Sequence, residues 1–184
     1  MHKYLANLFI FLDKYNKEVF KKINANIGII YRNYELDGND SELFQIAKAC
    51  KRRRFQLFVS NNIKLALKVN ATGIYIPSFN KKDKFSNLEK KNFVIIGSAH
   101  NQKEIHQKIS QKCTAIFLSP LFFIKKRKNF LGIHKFNNLS NYNKINTIAL
   151  GGINSKNIKK LKLLNISGFG GVGLFKKKPA FKRP

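Results

Sequence analysis

Carboxylates are scarce in this sequence. It carries 9 Asp and Glu against 36 Lys and Arg, for a formal net charge of +27. Such an excess points to a polyanionic partner: nucleic acid, an anionic membrane surface or a phosphorylated substrate. A second reading rests on the other scarcities. Trp is absent and Met occurs once, while Lys, Asn and Ile abound, which is the composition an AT-rich genome encodes. The lysines are also spread over every predicted helix. No recognition-helix, zinc-finger or RNA-binding motif accompanies the charge, and the aromatics sit in apolar runs rather than among basic loops, so no specific nucleic acid is expected as a partner. Cysteine is nearly missing. Cys50 and Cys113 are too few and too isolated for a disulfide framework or a zinc site, and are expected to be buried thiols. No apolar run reaches the ~18 residues of a membrane span. Asp13 interrupts the first apolar run, which argues against a signal peptide. A cytoplasmic protein without membrane attachment is therefore expected by elimination.

What the chain has in quantity is short, unbroken apolar runs. With 184 residues, 43% of them hydrophobic, it can bury a substantial core within one globular domain. The stretch 115–154 shows the pattern best. It opens on Ala115-Ile116-Phe117-Leu118, stopped by Ser119-Pro120, and closes on Thr147-Ile148-Ala149-Leu150, stopped by Gly151-Gly152. Each run is too short for an ordinary helix and uninterrupted by charge, the signature of a strand covered on both faces in a parallel sheet. Further strands are predicted at 7–12, 27–31, 55–59, 73–76, 93–97 and 169–175. Helices are predicted at 16–23, from Ser41 to the Lys51-Arg52-Arg53-Arg54 run, and at 63–69, 102–112 and 157–164. Ser41 is expected to cap its helix, with Leu43, Phe44, Ile46, Ala47 and Cys50 as the buried stripe. Ile105 and Ile109 are expected to face inward from theirs.

Eight strands alternating with helical or connecting segments define an α/β protein with a parallel sheet. An open doubly wound sheet places its glycine fingerprint after the first strand. Here the glycine turns come late, after strand seven and in strand eight, where barrels commonly hold phosphate. A compact (β/α)8 TIM barrel is therefore expected over 1–175, followed by a basic tail at 176–184. The bare amides of Gly151-Gly152, set before a helix signalled by Asn154 and Ser155, suit a phosphate.

The strand ends carry a resemblance. Arg32, Ser60-Asn61, Ala71-Thr72-Gly73-Ile74-Tyr75-Ile76, Ser98-Ala99-His100, Ser119-Pro120-Leu121-Phe122 with Leu131-Gly132, Ala149-Leu150-Gly151-Gly152-Ile153 and Gly168-Phe169-Gly170-Gly171-Val172 follow in order. Together they resemble the thiamine phosphate synthase and thiazole tautomerase (TenI-like) superfamily of compact barrels. The resemblance implies a transferase of thiamine biosynthesis, joining hydroxymethylpyrimidine diphosphate to thiazole phosphate with release of diphosphate. It implies catalytic roles for Arg32 and Ser98 on the diphosphate, with Arg127 near the family's diphosphate lysine. Ser60, Asn61, Lys125 and Lys126 then line the substrate, and Gly151, Gly152, Gly170 and Gly171 cradle the thiazole phosphate. Family members also self-associate, so a homo-oligomer is among the expectations. Arg32 has a competing reading as a salt-bridge partner of Asp13 or Glu35, Ser98 one as a helix cap, and His100 reads as a hydrogen-bonded loop histidine.

Departures from the pattern are as informative. The family's two magnesium aspartates are represented by Asn61 and Asn80, whose neutral amides weaken any Mg2+ site, because hard cations favour carboxylates. The pyrimidine-binding glutamine is Ile30, the lysine beyond the arginine is Tyr34, the strand-six threonines are Ile124 and Lys126, and the strand-eight serine is Gly173. The tautomerase histidine is Ser119. Two functions stay open on these residues: a synthase working at an altered diphosphate site, with Lys125, Lys126 and Arg127 supplying part of the metal's charge, or a relative that binds a phosphorylated small molecule with different chemistry or none. A charge-driven nucleic-acid binder is the third and weakest reading.

Overall fold

A computed structural model describes residues 5–22, 26–32, 40–82, 93–125 and 129–171. Eight parallel strands close into a barrel in sequence order. They are β1 Leu8–Leu12, β2 Ile27–Tyr31, β3 Gln56–Ser60, β4 Gly73–Ile76, β5 Val94–Ala99, β6 Ala115–Leu118, β7 Asn146–Leu150 and β8 Gly168–Gly171. β8 returns to β1 through Leu8↔Phe169 and Ile10↔Gly171. Around the barrel lie α1 Lys17–Lys22, α2 Ser41–Arg53, α3 Ile63–Lys68, α4 Gln102–Ser110 and α5 Gly132–Tyr142, with a 3-10 helix at Ile158–Leu163. The expected (β/α)8 barrel is thus observed. Residues beyond 171, with the predicted tail at 176–184, lie outside the described residues, as does Ile23 at the end of the first predicted helix.

The unbroken apolar runs have a structural cause: each strand is covered on both faces, so alternate residues serve two cores. Phe9, Phe11, Ile30, Phe58, Tyr75, Ile96, Phe117 and Ile148 fill the barrel interior. Ile10, Ile29, Val59, Ile74, Ile95 and Ile116 face outward onto the helices, meeting Leu43 and Ile46 of α2, Ile105 of α4 and Phe136 of α5. Phe117 is the hub of the interior. Its ring lies 5.1 Å from Phe9, 5.3 Å from Phe11 and 5.9 Å from Tyr75, in edge-to-face geometry. Burying such a ring contributes about 2–3 kcal/mol, with roughly 1 kcal/mol more for each well-oriented aromatic pair. Gly28 and Gly170 flank β1 on either side: a Cβ on Gly28 would run into the Phe9 ring, and one on Gly170 would crowd Phe9 Cβ at 3.1 Å and the Phe117 ring at 3.3 Å. The interior is therefore an aromatic plug, and the C-terminal rim above it is where a ligand can sit.

Several local expectations are corrected. Ser41 is the first helical residue of α2, and Asp40 holds the N-cap position without a side-chain cap bond. Phe44 is 42% exposed rather than part of the stripe, with the Lys68 ammonium 5.0 Å above its ring and bonded at 3.2 Å to Asp40. In α4 the buried face is Ile105 and Lys108, whereas Ile109 is 41% exposed. The helix is rotated by one position so that i, i+3 rather than i, i+4 faces the barrel. The segment predicted as a helix at 157–164 is the 3-10 turn, and α5 occupies a stretch that the sequence pattern left without an element.

Candidate active site at the C-terminal rim

Parallel closure brings the ends of all eight strands to one rim. Arg32 follows β2, Ser60 ends β3 and Asn61 follows it, Asn80 lies in the loop after β4, and Ser98 is the penultimate residue of β5. Lys125 lies in the loop after β6, Gly151 and Gly152 follow β7, and Gly170 and Gly171 end β8. Lys126 and Arg127 lie outside the described residues. The fold thus gathers onto one rim those predicted positions that it describes.

On the β2–β5 side the groups are side chains. The Arg32 guanidinium stands 5.5 Å above the Phe11 ring, at the top of the aromatic plug, a placement that favours a cation. Among the described residues Arg32 forms no salt bridge with Asp13, so that competing reading is not observed; Glu35 lies outside the described residues. Ser98 is buried within β5, and its Oγ is 3.0 Å from the Tyr75 hydroxyl. It caps no helix. That role belongs to Asn101, which accepts the Glu104 N–H at 2.9 Å, while the Glu104 carboxylate reaches back to accept the N–H of the preceding residue, His100, at 2.8 Å. Asn61 adopts a left-handed backbone, φ 61°, and its Oδ1 accepts a 2.5 Å hydrogen bond from Asn80 Nδ2. The residues at the two magnesium positions are therefore joined to each other by their amides. Neither supplies a negative charge, and both amide oxygens are already engaged, Asn61 Oδ1 by Asn80 and Asn80 Oδ1 by the Lys82 N–H, so the pair is a poor match for Mg2+. Among the described residues no cluster of three or more His, Cys, Asp or Glu could hold a metal ion.

On the β6–β8 side the groups are backbone. Gly151 and Gly152 have φ of +91° and +73°, the left-handed region that favours glycine. A Cβ on Gly151 would come within 2.9 Å of Pro120, and one on Gly152 within 2.5 Å of the Phe122 carbonyl oxygen. The turn is clamped to the loop after β6 by Leu121 N–H to Leu150 O at 2.8 Å and Phe122 N–H to Gly151 O at 3.1 Å. The Gly152 carbonyl accepts from Asn157 Nδ2 at 2.8 Å. The carbonyls are thus committed, while neither glycine amide donates to a carbonyl among the described residues. Such a turn offers N–H groups to an anion. Gly170 sits inside β8 against Phe9, with Gly171 paired to Ile10. Lys125 is exposed.

A cavity of about 350 Å3 lies between the two sides. Of its lining, His100, Ser119, Pro120 and Leu131 stand among the motifs of the sequence pattern, whereas Asn129, Phe130 and Lys135 do not. His100 Nδ1 is 2.6 Å from the Ser119 carbonyl, which can only accept, so Nδ1 carries the proton and Nε2 faces the Ser78 hydroxyl at 3.3 Å. As expected, this histidine is a hydrogen-bonded bridge between loops. Cys50 and Cys113 are both buried thiols, and burial pushes each up to about 12. Among the described residues no helix is long and apolar enough to cross a membrane.

A closed parallel barrel whose rim carries a cationic side chain on one side and, among the described residues, glycine amides without a carbonyl partner on the other has the architecture in which phosphate sites commonly form after strands seven and eight. The family model described as thiamine monophosphate synthase matches residues 17–173, and the chain belongs to that family. A thiamine-phosphate synthase of Prochlorococcus marinus is 31% identical over 159 residues, covering 82% of this chain and 45% of the relative; the chain thus spans about half the length of that protein. A thiamine-phosphate synthase of Clostridium tetani is 30% identical over 145 residues, covering 73% of this chain and 68% of the relative. Among solved structures, a thiamine phosphate pyrophosphorylase from Pyrococcus furiosus superposes with a TM-score of 0.73 at 16% identity, covering 92% of this chain and 87% of that one.

Proposed function

We propose that this barrel is a transferase of thiamine biosynthesis that joins hydroxymethylpyrimidine diphosphate to thiazole phosphate. In that reaction the bond from the pyrimidine methylene to the diphosphate oxygen breaks, the thiazole nitrogen forms a bond to the same carbon, and diphosphate leaves with the electron pair. Negative charge grows on the leaving oxygen, so a preorganised cation lowers the barrier. Arg32, held over Phe11, supplies it together with Ser98 and Lys125, and the sequence pattern assigns the same task to Lys126 and Arg127, which lie outside the described residues. The thiazole phosphate takes the amides of the Gly151-Gly152 turn, with Gly170 and Gly171 next to it, while Ser60 and Asn61 line the side of the pyrimidine. The observation that carries the reading is the pairing of committed carbonyls with amides that have no acceptor among the described residues at Gly151-Gly152, in a chain whose relatives bear the synthase name.

A second reading draws on the Asn61–Asn80 bond: without carboxylates at those positions, the barrel binds the phosphorylated thiazole without transferring to it. One experiment separates the two. Purified protein is mixed with both substrates and magnesium, and thiamine phosphate is measured. Product formation supports the transferase. No product, with thiazole phosphate still raising the melting temperature, leaves the binder. No product and no protection rejects both. A charge-driven nucleic-acid interaction would be nonspecific and vanish near physiological salt.

A further inference from the structure

Lys108 is a lysine with 0% exposure in a chain otherwise covered with solvated lysines. A buried ammonium is costly unless it is bonded to fixed acceptors, so its position has to be accounted for. Its aliphatic stem leaves α4 and runs along the outer face of β5, through the space left by Gly97. A Cβ there would lie 2.8 Å from Lys108 Cδ and 2.9 Å from Cys113 Sγ. Its Nζ then donates to the Asn80 carbonyl at 2.7 Å and to Gln111 Oε1 at 2.8 Å. Gln111, also buried, turns its own Nε2 to the same Asn80 carbonyl at 3.0 Å and to the Lys82 carbonyl at 2.9 Å. The Lys82 N–H in turn donates to Asn80 Oδ1 at 2.9 Å. Both the main chain and the side chain of Asn80 are thereby held, and its free amide nitrogen is aimed at Asn61.

We infer that Lys108 is a positioning residue for the mouth of the barrel. Its ammonium, with Gln111, fixes the loop after β4 from behind and so sets the Asn61–Asn80 amide bridge that joins this loop to the end of β3. The bridge does by hydrogen bonding what an ion held between two carboxylates does in other sites: it keeps two rim loops at a fixed separation. The kinetic part of this inference rests on the transferase reading above; the structural part does not.

The test uses Lys108→Met, which keeps the stem in the Gly97 slot and removes the charge. In the native chain, the side-chain NH2 signals of Asn61 and Asn80, followed by nuclear magnetic resonance, should show one Asn80 proton shifted downfield and protected from exchange. In Lys108→Met that proton should lose its shift and exchange about tenfold faster, the loss of one charge-assisted hydrogen bond. With an active native chain, the KM for the pyrimidine diphosphate should rise about tenfold while that for thiazole phosphate stays put, a split that general destabilisation would not produce. Gly97→Ala, which pushes the stem aside, should reproduce both effects and serves if Lys108→Met does not fold. A folded variant with unchanged Asn80 signals overturns the inference, whatever the activity. A native chain that makes no thiamine phosphate removes the kinetic arm only, and the spectrum then decides alone.

Discussion

The two sides of the rim are built from different material. From β2 to β5 the groups that face a ligand are side chains: Arg32 over Phe11, Ser98 on Tyr75, and Asn61 bonded to Asn80. From β6 to β8 they are main-chain amides, held by the tie between the Pro120–Phe122 segment and the Gly151-Gly152 turn. Side chains change with one substitution and leave the fold intact, and the departures expected from the sequence pattern are side-chain changes on both halves, Ile30, Asn61 and Asn80 on this one and Ser119, Ile124 and Gly173 on the other. Backbone amides can be removed only by moving the chain, and the positive φ and close contacts of the glycines hold that side in place. Under the proposed function, the side-chain half can change specificity while the backbone half keeps its amides in place.

Breaking the backbone side should have the largest effect. Gly152→Ala incurs about 1–2 kcal/mol for a left-handed alanine and about 1–3 kcal/mol for the clash with the Phe122 carbonyl. A denaturant midpoint lowered accordingly, together with lost protection by thiazole phosphate, is the expected result. On the side-chain half, Arg32→Ala should cost about a hundredfold in kcat/KM, the scale of removing one transition-state donor. Its melting temperature should barely move, because among the described residues the Arg32 guanidinium packs on the face of one ring. A smaller effect sharpens the comparison further. Asn61→Asp with Asn80→Asp would replace the amide bridge by two carboxylates, costing about 1–3 kcal/mol in chelator and regaining it with Mg2+. The native chain should show no such response in its melting temperature.

The smallest effect lies away from the rim and serves as a control on the core. An unfolded thiol ionises near 9.0, whereas burial raises Cys50 and Cys113 to about 12. Between those values the unfolded chain has released protons that the folded chain keeps, so stability falls as pH rises through that window, by at most about 1.4 kcal/mol per pH unit for each thiol. The pH dependence of the denaturant midpoint should be shallower in a Cys50→Ala, Cys113→Ala variant. At pH 8 both thiols of the folded protein should resist alkylation.

The strands were legible because a parallel barrel strand is buried on both faces and ends at Gly, Pro or a polar pair; β2 and β4 match their predicted spans residue for residue. The helices were less so. α5 holds Phe136 as its buried anchor among Asn, Ser and His, with no acidic first turn to announce it. α4 misled because its inward position is a lysine, and the pattern places isoleucine there and lysine in water. That same error hid the Lys108–Asn80 link, since a buried cation has no periodic signature. The rim positions were legible only as a set of strand ends. Their pairing, above all Asn61 with Asn80 and Ser98 with Tyr75, depends on which strands neighbour each other in space.

The central claim is that an anionic headgroup is held by the main-chain amides after β7. The direct measurement is a titration of the isotope-labelled protein with thiazole phosphate, following the backbone amide signals of Gly151 and Gly152. The account predicts saturable downfield shifts at both glycines, with the opposite end of the barrel, around Asn146 and Ser167, unchanged. Shifts confined to that opposite end, or none at Gly151 and Gly152 at saturating ligand, would contradict it.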